Sequence, residues 1–128
     1  MAKGTMPVPT ESVEQQCLIR WANMQLGKYP ELEMLYHVPN EGKRSLSTGA
    51  KMRAEGLRKG VPDLVLPVAR GVFHGLYIEL KRIKYSKKTE EQKEWVKKLN
   101  QHGYYACFCN GWVEASEVIK NYLKLGKK

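Results

Sequence analysis

Two short stretches decide the fold: Pro62-Asp63-Leu64-Val65-Leu66 and Leu76-Tyr77-Ile78-Glu79-Leu80-Lys81. The second alternates strictly between apolar and other residues, which predicts a half-buried strand with one face on a core. Because alternate side chains of a strand share a face, Glu79 and Lys81 are expected to project together. The apolar side chains between them would anchor the strand from behind.

The first stretch predicts a partner strand for the second. An apolar run over 64–68 starts directly after Asp63, and residues 71–75 begin and end with glycine, as expected of a turn. A hairpin would bring Asp63 close to Glu79. Pro62 cannot donate a ladder hydrogen bond and Gly60 tolerates unusual dihedral angles, so the chain can enter this strand from a bend. We therefore expect an acidic corner.

Asp63, Glu79 and Lys81 together match the PD-(D/E)xK pattern, which predicts a metal-dependent nuclease. Two carboxylates can hold a divalent cation beside a phosphodiester, and all-oxygen ligands favour Mg²⁺ or Mn²⁺ over zinc. The lysine can position or acidify the attacking water and offset negative charge on the phosphate. Either half of the pattern alone is common in unrelated strands and turns.

The chain of 128 residues is expected to form one domain without a signal peptide or a membrane span, in the cytoplasm. Its three cysteines lack the spacing of a zinc site, so they are predicted to be reduced core thiols. These observations disfavour secreted, membrane and zinc-binding classes.

A formal net charge of +9 predicts a polyanionic partner, with nucleic acid the natural candidate. Many of the cations precede Asp63 directly, and no element that would read bases is evident. The alternative is a solvated helix face. The residues predicted to contact the DNA backbone are Asn40, Lys43, Arg44, Lys51, Arg58 and Lys59.

Periodicity and turn signals predict helices near 10–26, 45–57, 90–102 and 113–125, and strands near 35–38, 64–68, 75–81 and 104–109. Thr89 and Gln92 form a capping box, and Gly103 is placed to end that helix. A crossover through it would return the last strand parallel to the Glu79 strand. The expected fold class is α/β, with a mixed central sheet flanked by helices.

Three polar side chains are candidates for further roles. Gln92 falls on the apolar face of its predicted helix, from which it could reach a metal-bound water or the substrate. Glu11 and Glu14 lie in one row of the first helix, and a buried carboxylate there would need a partner such as a metal. The alternative for Gln92 and Glu11 is that residues near a helix start are often solvated, and acids there favour the helix dipole.

The chain resembles the virus-type replication-repair nuclease (VRR-NUC) family of the PD-(D/E)xK superfamily over nearly its whole length. The matching segments are Thr10-Glu11 with Gln15 and Trp21, His37-Val38-Pro39-Asn40, Gly42-Lys43-Arg44, Gly60-Val61-Pro62-Asp63-Leu64, His74-Gly75-Leu76-Tyr77-Ile78-Glu79-Leu80-Lys81, Glu91-Gln92, Leu99, Gly103-Tyr104 and Gly111-Trp112.

The resemblance implies a restriction-endonuclease-like domain over 10–125, between a flexible segment 1–9 and a basic tail 126–128. It implies Asp63, Glu79 and the Leu80 carbonyl as metal ligands and Lys81 as the catalytic cation. The family pattern selects Glu11 as the acid from the first helix, with Glu14 kept as the alternative.

Compact members of the family resemble phage-encoded homodimers that act on branched DNA such as four-way junctions, which would place this protein in a phage-infected or bacterial cell. Two alternatives stay open: a nuclease on linear or flap DNA, and a basic DNA-binding module without catalysis.

Overall fold

The computed structural model describes residues 7–39 and 46–127. The helices are α1 (Glu11–Met24), α2 (Leu46–Ala54), α3 (Glu90–Gln101) and α4 (Trp112–Leu123). The strands are β1 (Tyr36–His37), β2 (Leu64–Leu66), β3 (Leu76–Lys81) and β4 (Tyr105–Asn110), and a 3₁₀ turn at Pro30–Met34 precedes β1. The predicted order of helices and strands is confirmed, whereas the 3₁₀ turn was not predicted. No described helix is long and apolar enough to cross a membrane.

Local sequence explains where the helices begin. The Thr10 side chain accepts a hydrogen bond from the Val13 amide at 3.2 Å and caps α1. Thr89 and Gln92 form the predicted capping box at the start of α3. Gly103 has a φ of +90° just after α3, as expected for a glycine that ends a helix.

The strands form one mixed sheet in the order β1-β2-β3-β4. The β2–β3 hairpin is antiparallel, whereas β3 and β4 are parallel because the chain crosses over through α3 between them. The predicted mixed α/β fold is therefore confirmed. The strand predicted over 64–68 ends at Leu66, because Pro67 cannot donate the next ladder hydrogen bond.

The core lies between the sheet and the α1–α4 pair, and β3 contributes Leu76, Ile78 and Leu80, each at most 1% exposed. On β4, the Asn100 side chain of α3 hydrogen-bonds to both backbone groups of Ala106, at 3.1 Å and 2.9 Å. The prediction that β3 is half-buried is wrong, because Glu79 and Lys81 are only 5% and 4% exposed. Both faces of β3 are therefore covered.

The two ends of the predicted domain are tied to its body. The carbonyl groups of Val8 and Pro9 accept hydrogen bonds from Arg82, although both residues fall in the segment predicted to be flexible. The Gly126 carbonyl accepts from the Gly71 amide, and Lys127 forms a bridge with Arg70. Residues 1–6 and Lys128 lie outside the described residues.

Candidate active site

The hairpin register brings the two predicted acids together. Leu64 of β2 pairs with Ile78 of β3, so one step outward along both strands sets Asp63 opposite Glu79. Directly opposed residues of an antiparallel pair share a face. Asp63 Oδ1 also accepts a hydrogen bond from the Leu80 amide at 3.0 Å, which fixes the carboxylate against β3. The acidic corner predicted from sequence is present.

Lys81 lies beside this pair and is held by two oxygens. Its Nζ donates to the Lys87 carbonyl at 2.6 Å and to Gln92 Oε1 at 2.8 Å, and it lies 3.9 Å from Glu79 Oε2. An ammonium group has three N–H donors, so one remains for a water or phosphate oxygen. The buried lysine is therefore oriented before any substrate arrives.

Gln92 links the lysine, an acid and the start of α3. Its Nε2 donates to Glu79 Oε2 at 3.2 Å, while its Oε1 accepts from both Lys81 and the Thr89 amide. The sequence predicted that this side chain could reach a metal-bound water or the substrate, which stays a prediction. The structure shows Gln92 in contact with the two charged groups of the motif, so the capping box at α3 also positions them.

The environment raises the pKa of both acids. Burial is the largest cause at Asp63, where it lifts the pKa to about 6, and the negative charge of Glu11 adds to it. At Glu79 burial is again the largest cause and the charge of Asp63 the next, and together they raise the pKa to about 8 despite the opposing charge of Lys81. The carboxylate pair, Asp63 and Glu79, therefore resists full ionisation in the absence of a cation.

The two candidate acids of α1 occupy different surroundings. Glu14 is 3% exposed and its Oε1 accepts a hydrogen bond from the Trp112 amide at 2.8 Å, so it holds the start of α4. Glu11 is half-buried, and its charge raises the pKa of both members of the carboxylate pair. Glu14 thus has a structural partner, whereas Glu11 interacts electrostatically with the carboxylate pair.

The donor set suits a hard divalent cation. Asp63 and Glu79 present carboxylate oxygens, and burial, the largest cause of their raised pKa values, disfavours the charged forms that a bound cation would stabilise. Within 7–39 and 46–127, no three His, Cys, Asp or Glu side chains form a ready-made metal cluster. The Leu80 carbonyl stays a predicted ligand, while the Leu80 amide is engaged by Asp63.

Part of the predicted DNA-binding surface borders this site. Arg58 and Lys59 are exposed and line an open groove of about 630 Å³ together with Thr89 and Gln92, so the groove runs from these cations toward the site. Lys51 is exposed on α2. The predicted contacts Asn40, Lys43 and Arg44 lie outside the described residues.

One feature of the site's surroundings was not predicted. Residues 82–88, called the basic loop below, follow Lys81 directly and carry four cations and no acid. The Lys87 carbonyl of this loop accepts a hydrogen bond from Lys81. The charge run is visible in the sequence, but the tie between the loop and Lys81 depends on the folded chain.

The mixed sheet with Asp63, Glu79 and Lys81 at the edge of its hairpin defines a nuclease of the PD-(D/E)xK type. The VRR-NUC domain model matches residues 10–112, and the chain belongs to this family. A solved structure described as a VRR_NUC domain protein is similar, with 31% sequence identity, a TM-score of 0.81, and coverage of 95% of this chain and 94% of that one. No curated protein matches the chain significantly.

Proposed function

We propose that this nuclease is an endonuclease that hydrolyses DNA phosphodiester bonds with Mg²⁺ or Mn²⁺ and selects branched DNA such as four-way junctions. One observation carries the catalytic part of the proposal: two buried carboxylates with raised pKa values adjoin a buried lysine that Gln92 and the Lys87 carbonyl hold in place. A module that only bound DNA would gain nothing from an inward acidic pair in a basic protein.

Asp63 and Glu79 would hold the cation, with Glu11 as the third acid and the Leu80 carbonyl as a further oxygen ligand. A divalent cation at this position supplies charge neutralisation for the phosphate and lowers the pKa of a bound water. The Leu80 amide fixes the orientation of Asp63, and Gln92 fixes that of Glu79. These contacts hold the ligands before the cation binds.

Lys81 would act on the reacting atoms. Its remaining N–H can donate to the attacking water or to a phosphate oxygen, and its charge offsets the negative charge that grows as water adds to phosphorus and one P–O ester bond breaks. Gln92 and the Lys87 carbonyl keep the ammonium group in place. We therefore assign Lys81 as a catalytic residue and Gln92 as a positioning residue.

The preference for branched DNA is supported by the family resemblance, and the position of the cations supports contact with the DNA backbone. Arg58 and Lys59 border the site as exposed side chains suited to phosphates, which are shared by all sequences. A homodimer would present two sites to opposing strands, and light scattering of the purified protein tests that assembly.

The decisive experiment compares the wild type with Lys81→Ala on labelled four-way junction, flap and linear duplex, each with Mg²⁺, Mn²⁺ or EDTA. Lys120→Ala is the matched control, because Lys120 lies on α4 and pairs with Glu117. We expect metal-dependent cutting, fastest on the junction, that Lys81→Ala loses and Lys120→Ala keeps. Binding of these DNAs without cleavage under any condition would leave a DNA-binding module and refute the enzymatic proposal.

Two variants, Glu11→Gln and Glu14→Gln, test which acid of α1 is the third metal ligand. If Glu11 is a ligand, Glu11→Gln weakens activation by Mg²⁺ roughly tenfold without lowering the Tm. Glu14→Gln should keep activity and lower the stability by about 1 kcal/mol, because a charge-assisted bond to the Trp112 amide becomes a neutral one. The reverse pattern would assign the ligand to Glu14.

A further inference from the structure

The basic loop combines charge with an exposed aromatic ring directly beside the site. Its sequence is Arg82-Ile83-Lys84-Tyr85-Ser86-Lys87-Lys88, and it leaves the sheet immediately after Lys81. Tyr85, at its centre, is 80% exposed. Cations with an exposed aromatic ring between them are the side-chain combination that binds single-stranded or unpaired nucleic acid.

Both ends of the basic loop are anchored to the domain. At its start, the Arg82 carbonyl accepts a hydrogen bond from Asn110 Nδ2 at 3.1 Å, and Arg82 Nη2 donates to the Val8 carbonyl at 2.8 Å. At its end, the Lys87 carbonyl accepts from Lys81 Nζ at 2.6 Å. Both ends of the basic loop are therefore tied to the domain, and its far end is tied to the catalytic lysine itself.

Tyr85 adopts a backbone conformation that its own side chain disfavours. Its φ is +63°, and it is the single non-glycine residue with positive φ among residues 7–39 and 46–127. A bulky residue is rarely found in this region, and strain of this kind clusters at sites of function. The Arg82 guanidinium lies 5.7 Å from the Tyr85 ring centroid, a cation–π contact that helps to hold the exposed ring.

The neighbouring charges suit phosphates. Lys84, Lys87 and Lys88 are exposed, and Lys88 Nζ lies 4.6 Å from the centre of the Phe108 ring on β4. A protein partner would favour an apolar surface with few lysines, whereas a nucleic acid offers phosphates for the lysines and base faces for the ring. The composition of the loop therefore favours nucleic acid.

We propose that Tyr85 stacks on an unpaired base next to the scissile phosphate while Lys84 and Lys87 contact the flanking phosphates. This inference rests on the proposed function and narrows its substrate class to DNA with at least one unstacked base at the cleavage position. Unpaired bases occur at flaps and single strands, and the open centre of a four-way junction exposes base faces without a stacking neighbour, whereas a continuous duplex offers neither. The basic loop would thus supply the selectivity that the cations before Asp63 lack.

The test measures binding of the full-length protein in EDTA to two DNAs that differ in one position. One duplex carries an unpaired 2-aminopurine, and the other carries the same base fully paired. We expect Tyr85→Ala to bind the unpaired DNA roughly tenfold more weakly than the wild type and to lose the quenching of 2-aminopurine fluorescence. Tyr85→Phe should keep both properties, because the phenyl ring still stacks.

Three further variants or measurements complete the design. Tyr36→Ala is the matched control, because Tyr36 is 51% exposed on β1, and it should bind both DNAs as the wild type does. Lys84→Ala should weaken the binding of both DNAs alike and reduce the number of counterions released on binding by about one, which the salt dependence of the affinity measures. The Tm of Tyr85→Ala should stay near that of the wild type, since the ring is largely exposed.

The outcomes separate this inference from the proposed function. Three results would each overturn stacking by Tyr85. In the first, Tyr85→Ala binds the unpaired DNA as tightly as the wild type does, and in the second it loses the same affinity for the paired and the unpaired DNA. The third is a Tyr85→Phe variant that binds the unpaired DNA as weakly as Tyr85→Ala. If the wild type nevertheless cuts DNA with Mg²⁺, the proposed function stands. If the wild type does not bind the unpaired DNA and also cuts neither four-way junction, flap nor linear duplex with Mg²⁺ or Mn²⁺, both proposals fall together.

Discussion

Two of the places where the described residues bury charge differ in how fully that charge is neutralised. Near the end of β2, the Arg70 guanidinium is 6% exposed, pairs with the Glu31 carboxylate and donates to the Ala69 carbonyl at 2.8 Å. At the other end of the hairpin, Asp63 and Glu79 face one another, and Lys81 offsets only part of their charge.

This difference separates a structural ion pair from a functional site. A buried charge is tolerated when a partner satisfies it, as at Arg70 and Glu31. A cluster that keeps a surplus of like charge costs stability, and natural proteins retain such clusters where a ligand supplies the missing charge. Substitutions at the two places should therefore have opposite effects on stability and activity.

The largest expected effect is at the carboxylate pair. Glu79→Gln should reduce DNA cleavage about a thousandfold, because the cation and Lys81 lose an anionic partner. The same variant should raise the Tm of the metal-free protein at pH 8.5, since it removes one of two repelling charges. Cleavage rates and thermal melts of one preparation check both. A variant that was both inactive and less stable would show that Glu79 is structural, like Glu31.

Gly60 tests how closely the site depends on packing. Its φ is +90°, and a Cβ there would lie 2.7 Å from the Glu91 carbonyl carbon and 2.9 Å from the Gln92 amide nitrogen. Gly60→Ala should cost about 3 kcal/mol of stability and displace the capping box from Glu79 and Lys81. Gly56→Ala is the control, because Gly56 has a φ of +113° but no neighbour within 4 Å.

Gly56→Ala should lower the stability by about 1 kcal/mol, because alanine disfavours a positive φ, and should keep full activity. Chemical denaturation and cleavage assays measure both quantities. Equal losses of stability and activity in the two variants would argue against the close approach of Gly60 to α3.

At the ion pair of Arg70 and Glu31 we expect the opposite result, a loss of stability without a loss of activity. Glu31→Ala should lower the free energy of unfolding by about 2 kcal/mol, less than for a fully buried pair because the Glu31 side chain is 30% exposed. Cleavage at 20 °C should stay within about twofold of the wild type, and Glu31→Gln should recover part of the stability through a neutral hydrogen bond. A large loss of activity in folded Glu31→Ala would contradict a purely structural role for the ion pair of Arg70 and Glu31.

The last expected effect is the pH dependence of the stability of the metal-free protein. The pKa of Asp63 rises from 3.8 to about 6 and that of Glu79 from 4.5 to about 8 on folding. Because the folded-state pKa values lie above the ordinary ones, protonation of the two carboxyl groups stabilises the folded protein fully below pH 4, and this stabilisation is lost as pH rises through 6 and 8. The Tm should therefore fall as the pH rises from 5 to 9.

Millimolar Mg²⁺ should recover most of that loss at pH 9, because the cation replaces the protons. The double variant Asp63→Asn with Glu79→Gln should show neither the pH dependence nor the response to Mg²⁺. A pH-dependent fall of the same size in the double variant would assign the effect to other groups.

Much of the site could be predicted because its information is local. Strand periodicity put Glu79 and Lys81 on one face, the hairpin signals brought Asp63 to them, and the capping box fixed Gln92 at the start of α3. The periodicity of the first helix left the choice between Glu11 and Glu14 open, although the family pattern selects Glu11. Both lie on one row of α1, and what distinguishes them is the Trp112 amide, 98 residues from Glu14 in the chain.

The sequence by itself determined the order of elements, the mixed sheet, the acid–lysine motif and the excess of positive charge, because propensity, periodicity and charge depend on neighbouring residues. Only the tertiary structure decided that both faces of β3 are buried and that Lys81 is held by Gln92 and the Lys87 carbonyl. It also decided that Tyr85 adopts an unfavourable backbone conformation and packs against the Arg82 guanidinium. The reason is physical: burial, pKa and orientation are set by atoms that are distant in sequence and meet only when the chain folds.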